Sequence, residues 1–457
     1  MCSEATLSNK SESRTAGEAG WHASRYNLLS VVPGTEHVAI VNLYKGTCAE
    51  LTPLQLYLLS EIEGLDEHHP MIGQLAKGGF IVNFDERAAL ETKWRVACAM
   101  PREAVWLTVC PTMACNFDCP YCFEADCHGK MTSEVQDDVV ALAGRMLDAS
   151  HGKRLEVTWY GGEPLLAIDV IEALSHRLME LTKDRGATYN AQIVSNGYLF
   201  TQDIVDTLGR CNVTLAQITL DGIGATHDAT RHLAGGGSTF ERIVSNLRDL
   251  KLPFTVSLRT NVHKGNLSQV DSIRALTRKL SDESGNDIRC YAKAVLPSVA
   301  ADERGKQVEL LNGEDAVNIG LHGCKRRVPV GDDHQCAAIT LWSALVDVQG
   351  NLHKCAGLTA AEPQFAYASA RDWDPTDPLA TAFAPDNLTR FLNCASPVPD
   401  EECRECVWLP LCGGGCPYYR LLGNRLCLPF REEPEQYVLS QHARFAELRR
   451  IRTQKSA

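Results

Sequence analysis

The stretch Cys115-Asn-Phe-Asp-Cys119-Pro-Tyr-Cys122 decides how this chain is interpreted, because it gathers three thiols in one short loop. Thiolates are soft ligands that suit zinc or an iron–sulfur cluster. A structural metal site is normally closed by four protein ligands, whereas a catalytic site keeps one position open. The three cysteines therefore predict a metal centre with a vacant coordination position. Half of a structural zinc site is the alternative.

The segment around this loop alternates between apolar strand-like runs and helical stretches. The strand-like runs are 105–109, 155–159, 191–195, 215–220, 254–260 and 288–295. This alternation predicts an α/β fold, in which a parallel sheet is covered by helices. Six repeats are too few for a complete eight-stranded barrel. The cysteine loop follows the first strand, and in α/β barrels the carboxyl ends of the strands carry the chemistry.

The loop has the spacing C-x3-C-x2-C with an aromatic residue before its last cysteine, and it resembles that of the radical S-adenosylmethionine (SAM) enzymes. In that family three cysteines hold a [4Fe–4S] cluster whose fourth iron binds SAM. Reductive cleavage of SAM gives a 5′-deoxyadenosyl radical, which abstracts hydrogen from the substrate. The resemblance implies a partial (β/α)6 TIM-like barrel over residues 100–297. It assigns the catalytic, cluster-binding role to Cys115, Cys119 and Cys122.

A second motif, Gly161-Gly162-Glu163-Pro164, follows the second predicted strand and matches the family's GGEP motif. Glycine lets the backbone approach a ligand closely, and a glutamate can accept hydrogen bonds from an ammonium group. The resemblance implies that these residues contact the amino group of SAM. An ordinary Gly-Gly turn is the alternative.

Further SAM contacts are expected where the next strands end. Ser195 and Asn196 end the third strand, and Thr219 and Asp221 belong to a Thr-Leu-Asp-Gly stretch that resembles the family's Ser-Leu-Asp-Gly. Arg231 closes an H-x-x-x-R pattern, and its guanidinium suits a carboxylate. Polar loop residues without a ligand are the alternative for each of these positions.

Residues 336–430 carry a second group of cysteines with the pattern C-x13-G-x4-C, then C-x2-C-x5-C-x3-C, then C. The pattern resembles the SPASM extension of radical SAM proteins, in which two auxiliary [4Fe–4S] clusters are bound. The resemblance implies an outer cluster on Cys403, Cys406, Cys412 and Cys427, and an inner cluster on Cys336, Cys355 and Cys416, with Cys324 as the expected fourth ligand. An open iron in the inner cluster and a zinc ribbon are the alternatives.

Residues 25–95 predict a small α+β module that is winged-helix-like, with two strands, two helices and a closing strand. It resembles the PqqD-like units that grip a leader peptide through an exposed strand edge. A packing extension of the barrel is the alternative. The remaining boundaries are a disordered arm at 1–24, a junction at 298–335 and a C-terminal helix at 431–457.

Composition limits the functional classes. The 457 residues include 19 cysteines, and the net charge is −12, which disfavours a nucleic-acid partner. The N-terminal residues lack the apolar core of a secretory signal, and no apolar run reaches the ~20 residues of a membrane span. These features predict a cytoplasmic protein without a membrane partner, whose cysteines bind metal rather than form disulfides.

Together, these resemblances imply a radical SAM oxidoreductase that crosslinks a ribosomally made precursor peptide through a thioether or carbon–carbon bond. The expected cofactors are SAM and up to three [4Fe–4S] clusters, with a flavodoxin- or ferredoxin-type electron donor. Alternatives are formylglycine formation, as in anaerobic sulfatase maturases, oxidation of a small molecule, and a non-catalytic metal scaffold. The sulfatase-maturase alternative is weakened by Ala356, because those enzymes have an aspartate at that position.

Overall fold

The computed structural model describes residues 20–66, 68–100, 103–122, 128–295, 308–312, 315, 336–358, 363–396, 400–428 and 431–456. Most of the predicted arm and junction, together with Cys324, lies outside the described residues. The strands are β1 His22–Ala23, β2 Asn27–Val31, β3 Val38–Asn42, β4 Thr47–Leu51, β5 Ile81–Val82, β6 Ala104–Thr112, β7 Arg154–Gly161, β8 Thr188–Ser195, β9 Val213–Thr219, β10 Thr255–Val262, β11 Ile288–Ala294, β12 Ser343–Val346, β13 Asn351–His353 and β14 Ala368–Ser369.

The helices follow the same chain order. They are α1 Pro53–Ser60, α2 Pro70–Gly78, α3 Glu86–Ala99, α4 Ser133–Ser150, α5 Ile168–Asp184, α6 Gln202–Arg210, α7 Ala225–Thr230, α8 Phe240–Asp249, α9 Val270–Ser284, α10 Pro385–Ala395, α11 Glu401–Glu405, α12 Leu409–Cys412, α13 Pro417–Leu421 and α14 Pro434–Ser456. None of the helices in the described part of the chain combines the length and the apolar character that a bilayer crossing demands.

The chain divides into two compact units. Unit 1 contains Met1–Cys98, Asn312–Gln335 and Ser396–Ala457, and unit 2 contains Ala99–Leu311 and Cys336–Ala395. The predicted cysteine-rich segment 336–430 is thus shared between the two units, which the cysteine pattern alone does not reveal.

Unit 2 is built on one sheet with the strand order β11-β10-β9-β8-β7-β6-β12-β13-β14. Strands β6 to β11 are successive parallel neighbours, and they coincide with the six strands predicted from the alternation. At least one helix lies between each successive pair. Every second residue of β6 and β7 is fully buried, as expected when helices cover a sheet. A mixed α/β architecture with a mostly parallel central sheet is therefore confirmed.

Three strands of this sheet were not predicted. Strand β12 pairs in parallel with β6, and β13 and β14 extend the sheet in antiparallel fashion. All four residues of β12 are buried, so this short run fills the side of β6 that is not paired with β7. Because the run is only four residues long, its sequence carries little strand signal.

Unit 1 contains the antiparallel sheet β2-β3-β4 and the separate pair β1-β5. Ile40 and Leu51 of the sheet share an apolar core with Leu59 of α1 and Leu75 of α2. Helix α14 contacts all three strands. Strand β4 was missed, because its mixed sequence Thr-Cys-Ala-Glu-Leu lacks a strong strand pattern. The winged-helix-like classification of this module stays a prediction.

Candidate active site at the cysteine loop

The cysteine loop leaves the carboxyl end of β6 and is anchored to the segment that follows α7. The backbone N–H of Asp118 donates to the carbonyl of His232 at 3.1 Å, and the N–H of Ala234 donates to the carbonyl of Asn116 at 2.9 Å. Phe117, between these two bonds, is buried. Two backbone hydrogen bonds therefore hold the loop against this segment.

The three cysteines of the loop differ in their environment. Cys119 is buried, Cys122 is half-buried and Cys115 is exposed as a residue, although its thiol group is largely shielded from solvent. Burial of the Cys115 thiol, reinforced by the negative charges of Glu163 and Cys119, raises its pKa to about 11. A bound metal centre would take the place of the proton on such a thiol. Three thiolates from one loop are the donor set that a [4Fe–4S] cluster with one open iron requires.

The glycines of the GGEP motif are required by the close approach of this loop. Gly161 has φ +117°, and a Cβ there would lie 2.2 Å from the carbonyl oxygen of Thr112. A Cβ on Gly162 would lie 2.4 Å from the carbonyl oxygen of Ala114. Any side chain at either position would therefore displace the backbone that leads into Cys115. The motif supports the cysteine loop, in addition to any contact with SAM.

Glu163 joins the ends of two strands through a buried carboxylate. Its Oε1 accepts hydrogen bonds from the Leu165 N–H at 3.1 Å and the Ser195 hydroxyl at 2.9 Å. Its Oε2 accepts from the Asn196 N–H at 2.8 Å. Burial raises the pKa of Glu163 to about 6, although all three hydrogen bonds oppose the shift. The side chain thus locks β7 to β8, and direct contact of Glu163, Ser195 and Asn196 with SAM stays a prediction.

The hydroxyl of Tyr121 is the centre of a buried polar network. It donates to the carboxylate of Asp221. It accepts from Arg231 Nη1 at 2.9 Å, and Asn261 Nδ2 lies at 3.4 Å. The backbone N–H of Asn261 also donates to Asp221 Oδ1 at 2.8 Å. The network therefore ties the residue before Cys122 to the ends of β9 and β10.

Asp221 and Arg231 are both engaged in this network. Asp221 is fully buried, which raises the pKa of its carboxyl, while the positive charge of Arg231 opposes that shift. Arg231 is also nearly buried, and its Nε has no hydrogen-bond partner within the described part of the chain. The Nε–H of Arg231 is therefore a donor that the predicted carboxylate clamp could use. Thr219, the last residue of β9, is buried beside them.

The role of the Tyr121 hydroxyl was missed by the sequence analysis, which noted only an aromatic residue before the last cysteine. The usable signal was that a tyrosine, not a phenylalanine, precedes Cys122. A buried tyrosine hydroxyl generally finds a hydrogen-bond partner. His227 is a second buried polar residue in this region. Its Nδ1 accepts from the Asp221 N–H at 3.2 Å, and burial lowers its pKa to about 3.

A second group of thiols lies in unit 1. Cys403, Cys406, Cys412 and Cys427 all line one cavity. Burial, reinforced by the neighbouring thiols, raises the pKa of Cys412 to about 11. Within the described ranges, no three His, Cys, Asp or Glu side chains are placed tightly enough to surround a single metal ion. The four thiols instead frame an open space, and four-cysteine donation is the ligation that a [4Fe–4S] cluster takes.

The other SPASM-type cysteines are distributed over both units. Cys416 belongs to unit 1, and Cys336 and Cys355 belong to unit 2. Ala356 begins a short 3-10 helix, directly after Cys355. The inner cluster, including the contribution of Cys324, stays a prediction.

Comparison with known proteins gives a family match for part of the chain. Residues 109–276 match the family model of the radical SAM superfamily. This segment, which carries the cysteine loop and the GGEP motif, is therefore similar to the enzymes of that superfamily. SAM and a [4Fe–4S] cluster are the cofactors of the superfamily.

Three curated relatives match part of the chain. AdoMet-dependent heme synthase of Methanosarcina barkeri is 30% identical over 39% of this chain and 48% of its own length. Pre-heme d1 synthase of Dinoroseobacter shibae is 28% identical over 47% of this chain and 49% of its own length. Sporulation killing factor maturation protein SkfB of Bacillus subtilis is 26% identical over 35% of this chain and 37% of its own length. The chain spans less than half the length of each of these relatives.

Two solved structures share the fold. The structure of anSMEcpe with bound AdoMet and a peptide has a TM-score of 0.58 at 19% identity, over 76% of this chain and 98% of its own. The structure of Streptococcus suis SuiB bound to S-adenosylmethionine has a TM-score of 0.52 at 14% identity, over 91% of this chain and 98% of its own. At these identities the likeness concerns the fold alone.

Proposed function

We propose that this chain is a radical SAM oxidoreductase that matures a ribosomally made peptide by forming a thioether or carbon–carbon crosslink. The observation that carries the proposal is the construction around the cysteine loop. The loop lies at the carboxyl end of a parallel sheet, its backbone rests on Gly161 and Gly162, and Tyr121 binds it to two further strand ends. This rigid placement suits the precise positioning that radical chemistry requires.

When bound, the cluster and SAM supply the one-electron cleavage that leads to hydrogen abstraction. The chain's own part is to hold Cys115, Cys119 and Cys122 in register at the end of β6. By resemblance, Gly161 to Pro164, Ser195, Asn196 and Thr219 contribute to SAM binding. The fully buried surroundings of Asp221 and His227 keep water away from one side of the site.

The proposed reaction is an oxidation, and the auxiliary clusters provide the route for its second electron. Cys403, Cys406, Cys412 and Cys427 would hold the outer cluster, and their shared cavity supports this assignment. Cys336, Cys355 and Cys416, with Cys324, would hold the inner cluster by resemblance. A flavodoxin- or ferredoxin-type protein would exchange electrons with the enzyme.

The peptide substrate is supported by the sheet of unit 1. Val32 N–H donates to the carbonyl of His37, and Leu43 N–H donates to the carbonyl of Tyr26, both at 2.9 Å. In an antiparallel pair these bonds recur at every second residue, so the N–H and C=O groups of Leu29 and Val31 point away from β3. Within the described residues, β2 pairs with β3 alone. An extended leader peptide could add to this edge as a further strand.

Val31 offers a clean test of this edge, because its side chain is 63% exposed. Replacing Val31 by proline removes the outward N–H, and edge strands tolerate proline. We expect the Kd for the precursor peptide to rise at least about tenfold, whereas V31A, which keeps the N–H, leaves it nearly unchanged. Fluorescence anisotropy of a labelled leader peptide measures both. Equal affinities of V31P and V31A for the leader peptide would show that the peptide does not bind at this strand edge.

Oxidation of a small molecule is the second candidate, and a specific observation favours it. Two of the three relatives described above are named AdoMet-dependent heme synthase and pre-heme d1 synthase, and the third is a maturation protein. Tetrapyrrole chemistry is therefore the natural competitor of peptide chemistry for this barrel.

One experiment separates the two candidates. The protein is co-expressed anaerobically with a short peptide encoded beside it, and the peptide is analysed by mass spectrometry. The proposal predicts loss of two hydrogen atoms per crosslink, and this loss should be absent with C119A. An unmodified peptide, together with 5′-deoxyadenosine formation that depends on an added porphyrin, would favour the small-molecule candidate.

A further inference from the structure

Two arginine side chains donate to the sulfurs of cysteines that line the cavity of unit 1. Arg431 Nη1 donates to Cys427 Sγ at 3.1 Å. Arg420 Nη1 lies 3.8 Å from Cys403 Sγ in donating geometry. Two of the four thiols thus lie close to cationic hydrogen-bond donors. This arrangement is not part of the cysteine pattern.

We propose that Arg431, and more weakly Arg420, raise the reduction potential of the cluster held by Cys403, Cys406, Cys412 and Cys427. The inference rests on the outer cluster of the proposed function. Reduction adds one negative charge to a cluster, and an N–H donor or a positive charge at a ligand sulfur stabilises that added charge. Hydrogen bonds to the sulfurs are among the factors that set the potential of such clusters.

The two arginines should differ in strength. A charge-assisted hydrogen bond weakens as its length grows, and the Arg431 contact is shorter by a clear margin. Arg420 also donates to the carbonyl of Gly414 at 3.0 Å and lies 3.6 Å from Asp400. Arg431 has weaker competitors, since Glu402 and Glu432 are each 3.7 Å away. Arg431 should therefore have the larger effect.

Arg425 provides a matched control in the same cavity. Its guanidinium pairs with Asp400 at 2.9 Å and also with Glu402. Its hydrogen bonds in the described structure go to these carboxylates rather than to a thiol. Replacing Arg425 removes the same formal charge from the cavity lining without removing a donor to sulfur. The comparison therefore separates hydrogen bonding from net charge.

A raised potential gives the outer cluster a defined place in the reaction. After a hydrogen atom has been removed from the substrate, closing the crosslink releases one further electron and one proton. The proton passes to solvent. Cys403, Cys406, Cys412 and Cys427 would hold the cluster that accepts the electron, and a one-electron carrier protein would then take the electron away. A potential raised by the arginines would favour this transfer.

The test is a redox titration of full-length, reconstituted protein, followed by electron paramagnetic resonance. C412A identifies which auxiliary signal belongs to the outer cluster. We expect R431Q to lower the equilibrium constant for its reduction at least tenfold, or about 59 mV for one electron. R420Q should give a smaller decrease, and R425Q should give less than half the shift of R431Q. An unchanged potential in R431Q, or an equal shift in R425Q, would overturn the proposal.

Iron content distinguishes this failure from failure of the proposed function. If the iron content per chain falls in C412A but stays at the wild-type level in R431Q, the cluster exists and the replacement of Arg431 does not prevent its assembly. An unchanged potential would then overturn only the role of Arg431. Equal iron in C412A and the wild type would mean that these cysteines hold no cluster, and both proposals would fall.

Discussion

Removal of the Tyr121 hydroxyl is the most informative single perturbation of the barrel. In Y121F the ring stays, but a buried donor and acceptor is lost between Asp221 and Arg231. Both partners are charged and nearly inaccessible to solvent, so water cannot simply replace the hydroxyl. A hydrogen bond to a charged group contributes about 1.5–3 kcal/mol. Two such bonds give an expected loss of about 3–6 kcal/mol, with a small addition from the longer Asn261 contact.

The assay is thermal unfolding of the purified protein, followed by circular dichroism. For a domain of 150–250 residues, each kcal/mol shifts the midpoint by about 2–4 °C, so the unfolding temperature should fall by roughly 6–24 °C. The rate of 5′-deoxyadenosine formation should fall as well, because Tyr121 directly precedes the cluster ligand Cys122. A midpoint within about 1 °C of the wild type would refute this reasoning.

Y198F is the matched control. Tyr198 packs edge-on against Phe117 of the cysteine loop, with a distance of 5.8 Å between ring centroids, and it lies under the guanidinium of Arg242. Both contacts use the ring rather than the hydroxyl. Y198F should therefore shift the midpoint by no more than about 2 °C, since substitutions that leave such contacts in place stay near 0.5 kcal/mol. Equal losses in the two variants would mean that the ring environment, not the Tyr121 hydroxyl, is being measured.

Two further predictions concern the supports of the loop. The pKa of Glu163 is about 6 in the folded protein, above its ordinary value of 4.5, so the native state binds the extra proton between these pH values. The contribution of this group to the free energy of unfolding is therefore greatest below pH 4.5, and it falls by about 2 kcal/mol as the pH rises through 6. Urea unfolding of E163Q should lack this decrease, and an unchanged pH dependence would contradict the assignment. G161A should cost about 3 kcal/mol or more because its Cβ meets the Thr112 carbonyl. G186A, which has a positive φ but open space around the Cβ, should cost only about 1 kcal/mol, and similar losses in both would show that the close approach is unimportant.

Much of the barrel was predictable from sequence. Strands β6 to β11 are regular apolar runs with helices between them, and local pattern is enough to find such elements. The order of the sheet followed, because successive strands with helical crossovers become parallel neighbours. Strands β4 and β12 were missed for opposite reasons. The first has a mixed sequence, and the second is so short that pairing with β6 decides its conformation.

The site was predictable as a set of positions but not as a set of contacts. The spacing of Cys115, Cys119 and Cys122 indicated a cluster loop without information on what holds it. Glu163 was expected to face a ligand, which stays a prediction, and its carboxylate also accepts hydrogen bonds from Ser195 and Asn196. These two contacts join residues that are more than 30 positions apart in the chain, so no local pattern encodes them. The contact of Arg420 with Cys403 spans 17 positions and was hidden for the same reason.

The central claim is that three thiolates of one loop hold a cluster that cleaves SAM. The most direct measurement is 5′-deoxyadenosine formation by the anaerobically reconstituted protein with SAM and dithionite, compared with C119A. We expect 5′-deoxyadenosine from the wild type and none above background from C119A. A protein that binds only zinc and leaves SAM intact, or a C119A variant with full activity, would contradict it.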